Sequence, residues 1–165
     1  MVKYILAKPG DEFALSALRK QVWATTYRGI YPDEYIDGYD FLEHMRRDAR
    51  RLASGESRVY FIRAACADAG YFGFGKPDRP FADYAFCLNS LYLLPEYRGR
   101  GIGRDVFEFV KAELRDLNAD VFFNACNVHN APAIGFYTRM GGKLVGVSDG
   151  HINKAEDQCY FEHRL

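Results

Sequence analysis

The chain lacks any CxxC pair. None of its four cysteines, Cys66, Cys87, Cys126 and Cys159, stands at a spacing from histidine that suits zinc. No metal site is therefore expected, and free thiols in a reducing cytoplasm are the simplest reading. Net charge is lacking too, with 22 basic against 22 acidic side chains. Without a whole-protein field, recruitment of nucleic acid is not expected. The local exception, Arg46, Arg47, Arg50 and Arg51, reads at helical spacing as a solvated face. No apolar run approaches bilayer length, and residues 1–7 are too short for a signal-peptide core with its flanks. The expectation is a cytoplasmic protein with no membrane partner. Internal repeats, linkers and low-complexity segments are also missing, which favours one domain over residues 1–165.

What is present suits a packed fold. Apolar residues make up 48% and aromatics 16% of the 165 residues, enough to fill one substantial core. Residues 2–7 read as a strand. Asp11 is placed as the N-cap of a helix to about Thr26, with Ala14, Leu15, Leu18 and Val22 on its apolar face. A short helix over 33–38 and a longer one from Phe41, capped by Asp40, follow. The longer one turns Phe41, Met45, Ala49 and Leu52 inward and ends at Gly55. Residues 59–65 and 69–75 read as an antiparallel pair, and 84–94 as a long central strand stopped by Pro95. A glycine-rich loop, 98–103, opens an amphipathic helix carrying Val106, Phe107, Val110 and Leu114. Residues 120–128 read as a strand. Pro132 starts a helix that Gly141-Gly142 ends, and 143–147 and 158–165 are the last strands. The fold class expected is α+β, layered α/β/α, with a mixed but mostly antiparallel sheet of six to seven strands flanked by helices.

The segment Leu94-Pro95-Glu96-Tyr97-Arg98-Gly99-Arg100-Gly101-Ile102-Gly103-Arg104 carries the chemistry. A buried strand ends in a loop, and the loop opens a helix. Three glycines leave backbone N–H groups bare at a helix N-terminus, where the helix dipole favours an anion. Arg98, Arg100 and Arg104 add positive charge, and a pyrophosphate suits such a site. The spacing is GxGxG, neither the GxGxxG of a dinucleotide site nor a Walker pattern. A tight turn whose glycines serve close packing is the alternative from this loop alone.

A second segment reads Asn130-Ala131-Pro132-Ala133-Ile134-Gly135-Phe136-Tyr137. Together the two resemble the GNAT (GCN5-related N-acetyltransferase) superfamily. Residues 98–103 match its Arg/Gln-x-x-Gly-x-Gly pattern and 130–137 its Asn-x-x-Ala-x-x-Phe-Tyr signature, in the family's order and separation. The resemblance is close over 58–165. The stretch Trp23-Ala24-Thr25-Thr26-Tyr27-Arg28-Gly29-Ile30-Tyr31-Pro32 is more loosely similar to the polyamine and small-amine branch.

The resemblance implies an N-acyltransferase that moves an acetyl group from acetyl-CoA to a primary amine, releasing coenzyme A, with a small amine or polyamine favoured. It implies that Leu91, Tyr92 and Leu93 offer backbone groups to the pantetheine arm. The amides of Gly99, Arg100, Gly101, Ile102, Gly103 and Arg104, with Arg98, would hold the pyrophosphate, and Asn130 and Tyr137 would also reach the cofactor. Leu93 N–H is the oxyanion donor expected, and Tyr137 the general acid for the leaving thiolate. Read from the residues alone, Tyr137 is a core tyrosine of an amphipathic helix and Asn130 a helix cap, a role that can coexist with cofactor contact. Many relatives carry a glutamate on the central strand or the next. Here Cys87, Leu88 and Asn89 stand on one and Asn124, Ala125 and Cys126 on the other. A water relay, Asp83 or His129 remain as bases, and a sensor that binds acyl-CoA without efficient transfer is the alternative function. The family also allows a homodimer.

On the acceptor side, Trp23, Tyr27, Tyr31, Tyr35 and Tyr39 recur every four residues among Asp33, Glu34, Asp37 and Asp40. Aromatic rings with carboxylates suit a cationic amine, which makes Tyr27, Tyr31, Asp33 and Glu34 the candidate acceptor residues. Ordinary core packing with a hydrated acidic rim explains the same pattern. His151 belongs to the turn between the last two strands, a place that in relatives often lines the acceptor pocket.

Overall fold

A computed structural model describes all 165 residues. Seven strands form one sheet: β1 (Val2–Leu6), β2 (Ser57–Ala64), β3 (Ala67–Gly75), β4 (Cys87–Leu93), β5 (Val121–Asn127), β6 (Lys143–Ser148) and β7 (Gln158–Arg164). Their order is β1-β2-β3-β4-β5-β7-β6, and every pairing is antiparallel except β4 with β5. Five helices flank it: α1 (Glu12–Thr26), α2 (Asp33–Asp37), α3 (Phe41–Ser54), α4 (Ile102–Asp116) and α5 (Ala131–Arg139). The mostly antiparallel α+β sandwich expected from the sequence is what forms. No helix is long and apolar enough to cross a membrane.

Each face of the sheet has its own core. On one, Val106, Phe107, Val110 and Leu114 of α4 are fully buried against Phe72 and Phe74 of β3, Leu88 of β4 and Phe122 of β5. Each such side chain contributes roughly 1.5–3 kcal/mol by leaving water. On the other face, Leu15, Leu18 and Val22 of α1 pack on Val59, Phe61 and Tyr71.

Three local expectations are corrected. Asp11 stands at the N-cap position of α1, but its side chain makes no capping bond; the carboxylate accepts from Lys8 N–H at 2.8 Å instead. The central strand begins at Cys87 rather than at residue 84. Ala82 takes a left-handed φ of 46°, and the segment turns Phe81 flat onto Tyr160, 4.0 Å between ring centroids. Tyr84 then donates to Glu162 at 2.6 Å. On α3 the inward face is led by Asp48, with Phe41, Met45, Ala49 and Leu52 only half-buried. Asp48 is 2% exposed because Arg19 of α1, 5% exposed, grips it with both Nη atoms, the Nη2–Oδ1 bond being 2.7 Å. Arg19 Nε also donates to Tyr71 Oη at 3.2 Å, so the pair locks α1 and α3 onto β3.

Candidate active site

The site begins where the sheet comes apart. β4 and β5 pair only at Cys87 with Phe123 and Leu88 with Asn124, and beyond them the strands diverge. Leu94 N–H donates to Ala69 O at 2.8 Å. That bond makes Gly70 and Leu93 a pair that exchanges no hydrogen bonds of its own. The backbone groups of Leu91 and Leu93 therefore face away from β3, into the gap, whereas those of Tyr92 are turned toward β3. One cavity of about 480 Å³ occupies this gap.

The glycine loop closes one end. Gly99 and Gly101 take left-handed φ values of 72° and 82°, and no atom stands within 4 Å of where a Cβ would be on either. Their bare backbone therefore fronts open space, and Gly101 serves as N-cap of α4. Gly101, Gly103 and Arg104 line the cavity, so the first turn of α4 presents unpaired amides and its positive dipole end there. Arg98 lines the cavity too, but its guanidinium is anchored. Nε donates to Leu93 O at 2.8 Å, and Nη2 to Thr26 Oγ1 at 3.1 Å. It ties the loop to the end of β4 and to α1.

Asn130 and Tyr137 of the α5 segment line the same cavity. Asn130 caps α5, accepting from Ala133 N–H at 3.2 Å, and also lines the cavity, so the two roles read from the sequence are compatible. Tyr137 is 6% exposed, and burial pushes its phenol well above its ordinary value. It stays protonated throughout the neutral range. Leu91, Tyr92, Leu93, Arg98, Gly99, Gly101, Gly103, Arg104, Asn130, Tyr137 and Tyr27 all meet in this single cavity. Arg100 does not; it lies over the Tyr97 ring. Ile102 is buried in the core, leaving only its backbone for the loop. Reasoning from sequence missed Ser90, Cys126, Phe136 and Arg139, which also line the cavity. Phe136 sits against Gly103, where an added Cβ would stand 3.3 Å from its ring.

The other candidate acceptor residues lie beyond the cavity lining. Tyr31 stacks on Tyr27 at 4.4 Å, and Tyr27 shares a 2.7 Å hydrogen bond with Tyr92. Burial, outweighing hydrogen bonds with Asn127 and Tyr27, pushes the Tyr31 phenol up to about 12. Asp33 is an exposed partner of Arg28 at 3.0 Å, and Glu34 is exposed. His129 and His151 both turn to the buried carboxylate of Asp157, at 3.3 and 2.8 Å. Asp157 also accepts from His151 N–H, and these bonds hold its carboxyl well below the usual range. The cluster pins the segment between β6 and β7 beside the end of β5. Asp83 lies in a separate shallow concavity.

A splayed parallel pair, a bare glycine loop at a helix start and a buried tyrosine facing the gap define a class. They make a fold with an open cleft between two strands and a helix start suited to an anion at its edge. Residues 20–142 match the Acetyltransferase (GNAT) family, and the chain belongs to that family. It is 34% identical over 62 residues to peptidyl-lysine N-acetyltransferase YjaB of Salmonella typhimurium, a match spanning 38% of this chain and 39% of that protein. Among solved structures it shares its fold with a PaiA N-acetyltransferase from Thermoplasma acidophilum in complex with coenzyme A. The TM-score is 0.81 at 19% identity, over 100% of this chain and 99% of that one. YncA, a putative acetyltransferase from Salmonella typhimurium with its cofactor acetyl-CoA, gives 0.70 at 19% identity over 99% and 94%.

Proposed function

We propose that residues 1–165 form a single N-acetyltransferase domain that transfers an acetyl group from acetyl-CoA to a primary amine of a small molecule or peptide. The observation that carries this is the gap between β4 and β5, where the glycine loop, Leu93 and Tyr137 border one cavity. The residues present fit acetyl-CoA. Gly99 and Gly101 offer unfilled space over bare amides, and Arg104 adds charge beside them. When bound, acetyl-CoA supplies an activated acyl carbon and a thiolate leaving group. Leu91 and Leu93 present backbone groups along the gap, and Leu93 N–H is placed to receive developing negative charge on oxygen. Tyr137 holds a proton for the departing sulfur; the amine loses one, so the balance is neutral.

One observation keeps a second reading, an acyl-CoA sensor: no aspartate or glutamate lines the cavity to deprotonate an amine. Thiol release from acetyl-CoA over a panel of amines separates the two. Turnover that falls steeply in Tyr137→Phe supports the transferase. Tight acetyl-CoA binding without release from any amine supports the sensor.

A further inference from the structure

β4 carries one residue too many. Gly73 faces Ser90 and Phe74 faces Leu88, so Asn89 is an inserted bulge residue. Its side chain is tied to the β3–β4 connection, donating to Lys76 O at 2.9 Å and accepting from Asp78 N–H at 3.0 Å. The bulge shifts the alternation of the strand. Leu88 and then Leu91 and Leu93 pack on the α4 core, while Ser90 and Tyr92 turn to the α1 face. Without the bulge Ser90 would join Leu88 against α4.

Ser90 Oγ thus sits over Gly73, 3.2 Å from where a Cβ would be, and Ser90 is among the residues that line the cavity together with Tyr92 and Tyr27. It is buried and has no hydrogen-bond partner in the protein. A buried hydroxyl left unpaired costs roughly 1–3 kcal/mol, a cost that a bound ligand would remove. The nearby hydroxyls of Tyr27 and Tyr92 already satisfy each other. The charged side chains lining the cavity are Arg98, Arg104 and Arg139, all cationic.

Resting on the transferase reading, we propose that Ser90 Oγ accepts a hydrogen bond from the attacking amine, and that the acceptor is an amine of lowered basicity, such as an α-amino group. A serine hydroxyl orients the nitrogen lone pair but does not remove an ammonium proton, and no carboxylate lines the cavity to pair with or deprotonate an ammonium ion. The amine therefore enters as free base. Near pH 7.5 roughly a third of an α-amino group is unprotonated, against about one in a thousand of an alkylamine. The amine nitrogen bonds to the acyl carbon, the carbon–sulfur bond breaks, and the proton the nitrogen sheds balances the one taken up by sulfur. Ser90 ends the step unchanged.

The test uses the full chain with acetyl-CoA and two acceptor sets, α-amino amides or short peptides with blocked side chains and aliphatic diamines including spermidine. Thiol release is followed from pH 6.5 to 9.5. At pH 7.5 kcat/KM for the α-amino set is expected to exceed that of the diamines at least tenfold. Diamine rates should climb close to tenfold per pH unit. Ser90→Ala should raise acceptor KM about tenfold while leaving acetyl-CoA affinity by calorimetry within twofold, and Ser90→Thr should recover most of the loss. Diamines turning over at a rate flat from pH 7 to 9 would reveal an internal base and overturn the proposal, a result read on the unmutated protein. An unchanged acceptor KM in a folded, acetyl-CoA-binding Ser90→Ala overturns it equally. Absence of transfer to every amine defeats the transferase reading itself, a different failure from transfer with the wrong amine preference.

Discussion

The two sides of the β4–β5 gap are built in opposite ways. The α4–α5 side comes from two short contiguous segments, 98–104 and 130–137, and works largely through backbone groups set by glycine conformation and helix starts. The α1 side is assembled from single side chains on separate elements: Tyr27 after α1, Ser90 and Tyr92 on β4, and Asn127 closing β5 against Lys154 O at 2.7 Å. The first side is written as a local motif, whereas the second is held together by long-range packing.

The α1 side should be the easier to collapse. Asp48→Ala leaves Arg19 charged and buried, which costs about 3–5 kcal/mol. Replacing both with apolar residues of similar volume should restore most of that stability in denaturant titrations. If Asp48→Ala were as stable as the parent, the α1–α3 lock would not matter.

Chemistry should fail first on the α5 side. Tyr137→Phe keeps the ring packing and removes the acid, so kcat is expected to drop about 100-fold or more while acetyl-CoA affinity holds. Loss of affinity with kcat intact would make Tyr137 a packing residue. Backbone dependence of the same side is probed at Gly101, whose φ of 82° costs an L-residue roughly 1–2 kcal/mol. Gly101→Val should weaken acetyl-CoA binding by about tenfold in calorimetry and leave acceptor KM unmoved.

Acid should loosen the α4–α5 side. His163 is fully buried; its Nε2–H donates to Asn124 Oδ1 at 2.7 Å and Nδ1 is unpartnered. Burial holds its pKa down at about 4, against about 6.5 unfolded. The unfolded chain thus binds the extra proton between these values. Stability is complete above about 6.5 and lost as pH falls toward 4, on the order of 3 kcal/mol. His44, lowered to about 4 by burial and by Arg47, adds to the same window. Thermal melts across pH 7 to 4 should show this slope, and His163→Phe should flatten part of it.

The smallest effect is expected at the acidic rim. Asp33 is exposed and paired with Arg28, and an exposed pair is worth about 1 kcal/mol or less. Asp33→Asn with Glu34→Gln should change acceptor KM by less than about threefold. A larger rise would place the cation-binding surface on α2 after all.

The glycine loop, Asn130 and Tyr137 were legible because each acts within a few residues of its neighbours in sequence. The positions of the strands were legible in outline because period-two runs and glycine or proline breaks are local signals. Asp48 was not, since a lone acid among four arginines reads as surface until Arg19 is brought over it from another helix. His163 and Asn124 were hidden in the same way, as polar residues in strands whose partners lie across the ladder. Ser90 was invisible because a bulge, not the alternating pattern, decides which face it joins.

By itself the sequence determined the family, the glycine-rich loop at a helix start and the layered α+β architecture, all of which rest on local motifs, backbone propensities and periodicities within one element and its neighbours. Only the tertiary structure decided that β4 and β5 part after two residue pairs, that Arg98 is bound back onto β4, and that Ser90 rather than a carboxylate lines the cavity beside Tyr27 and Tyr92. Those outcomes depend on register and on contacts between residues tens of positions apart, where long-range packing overrides local preference.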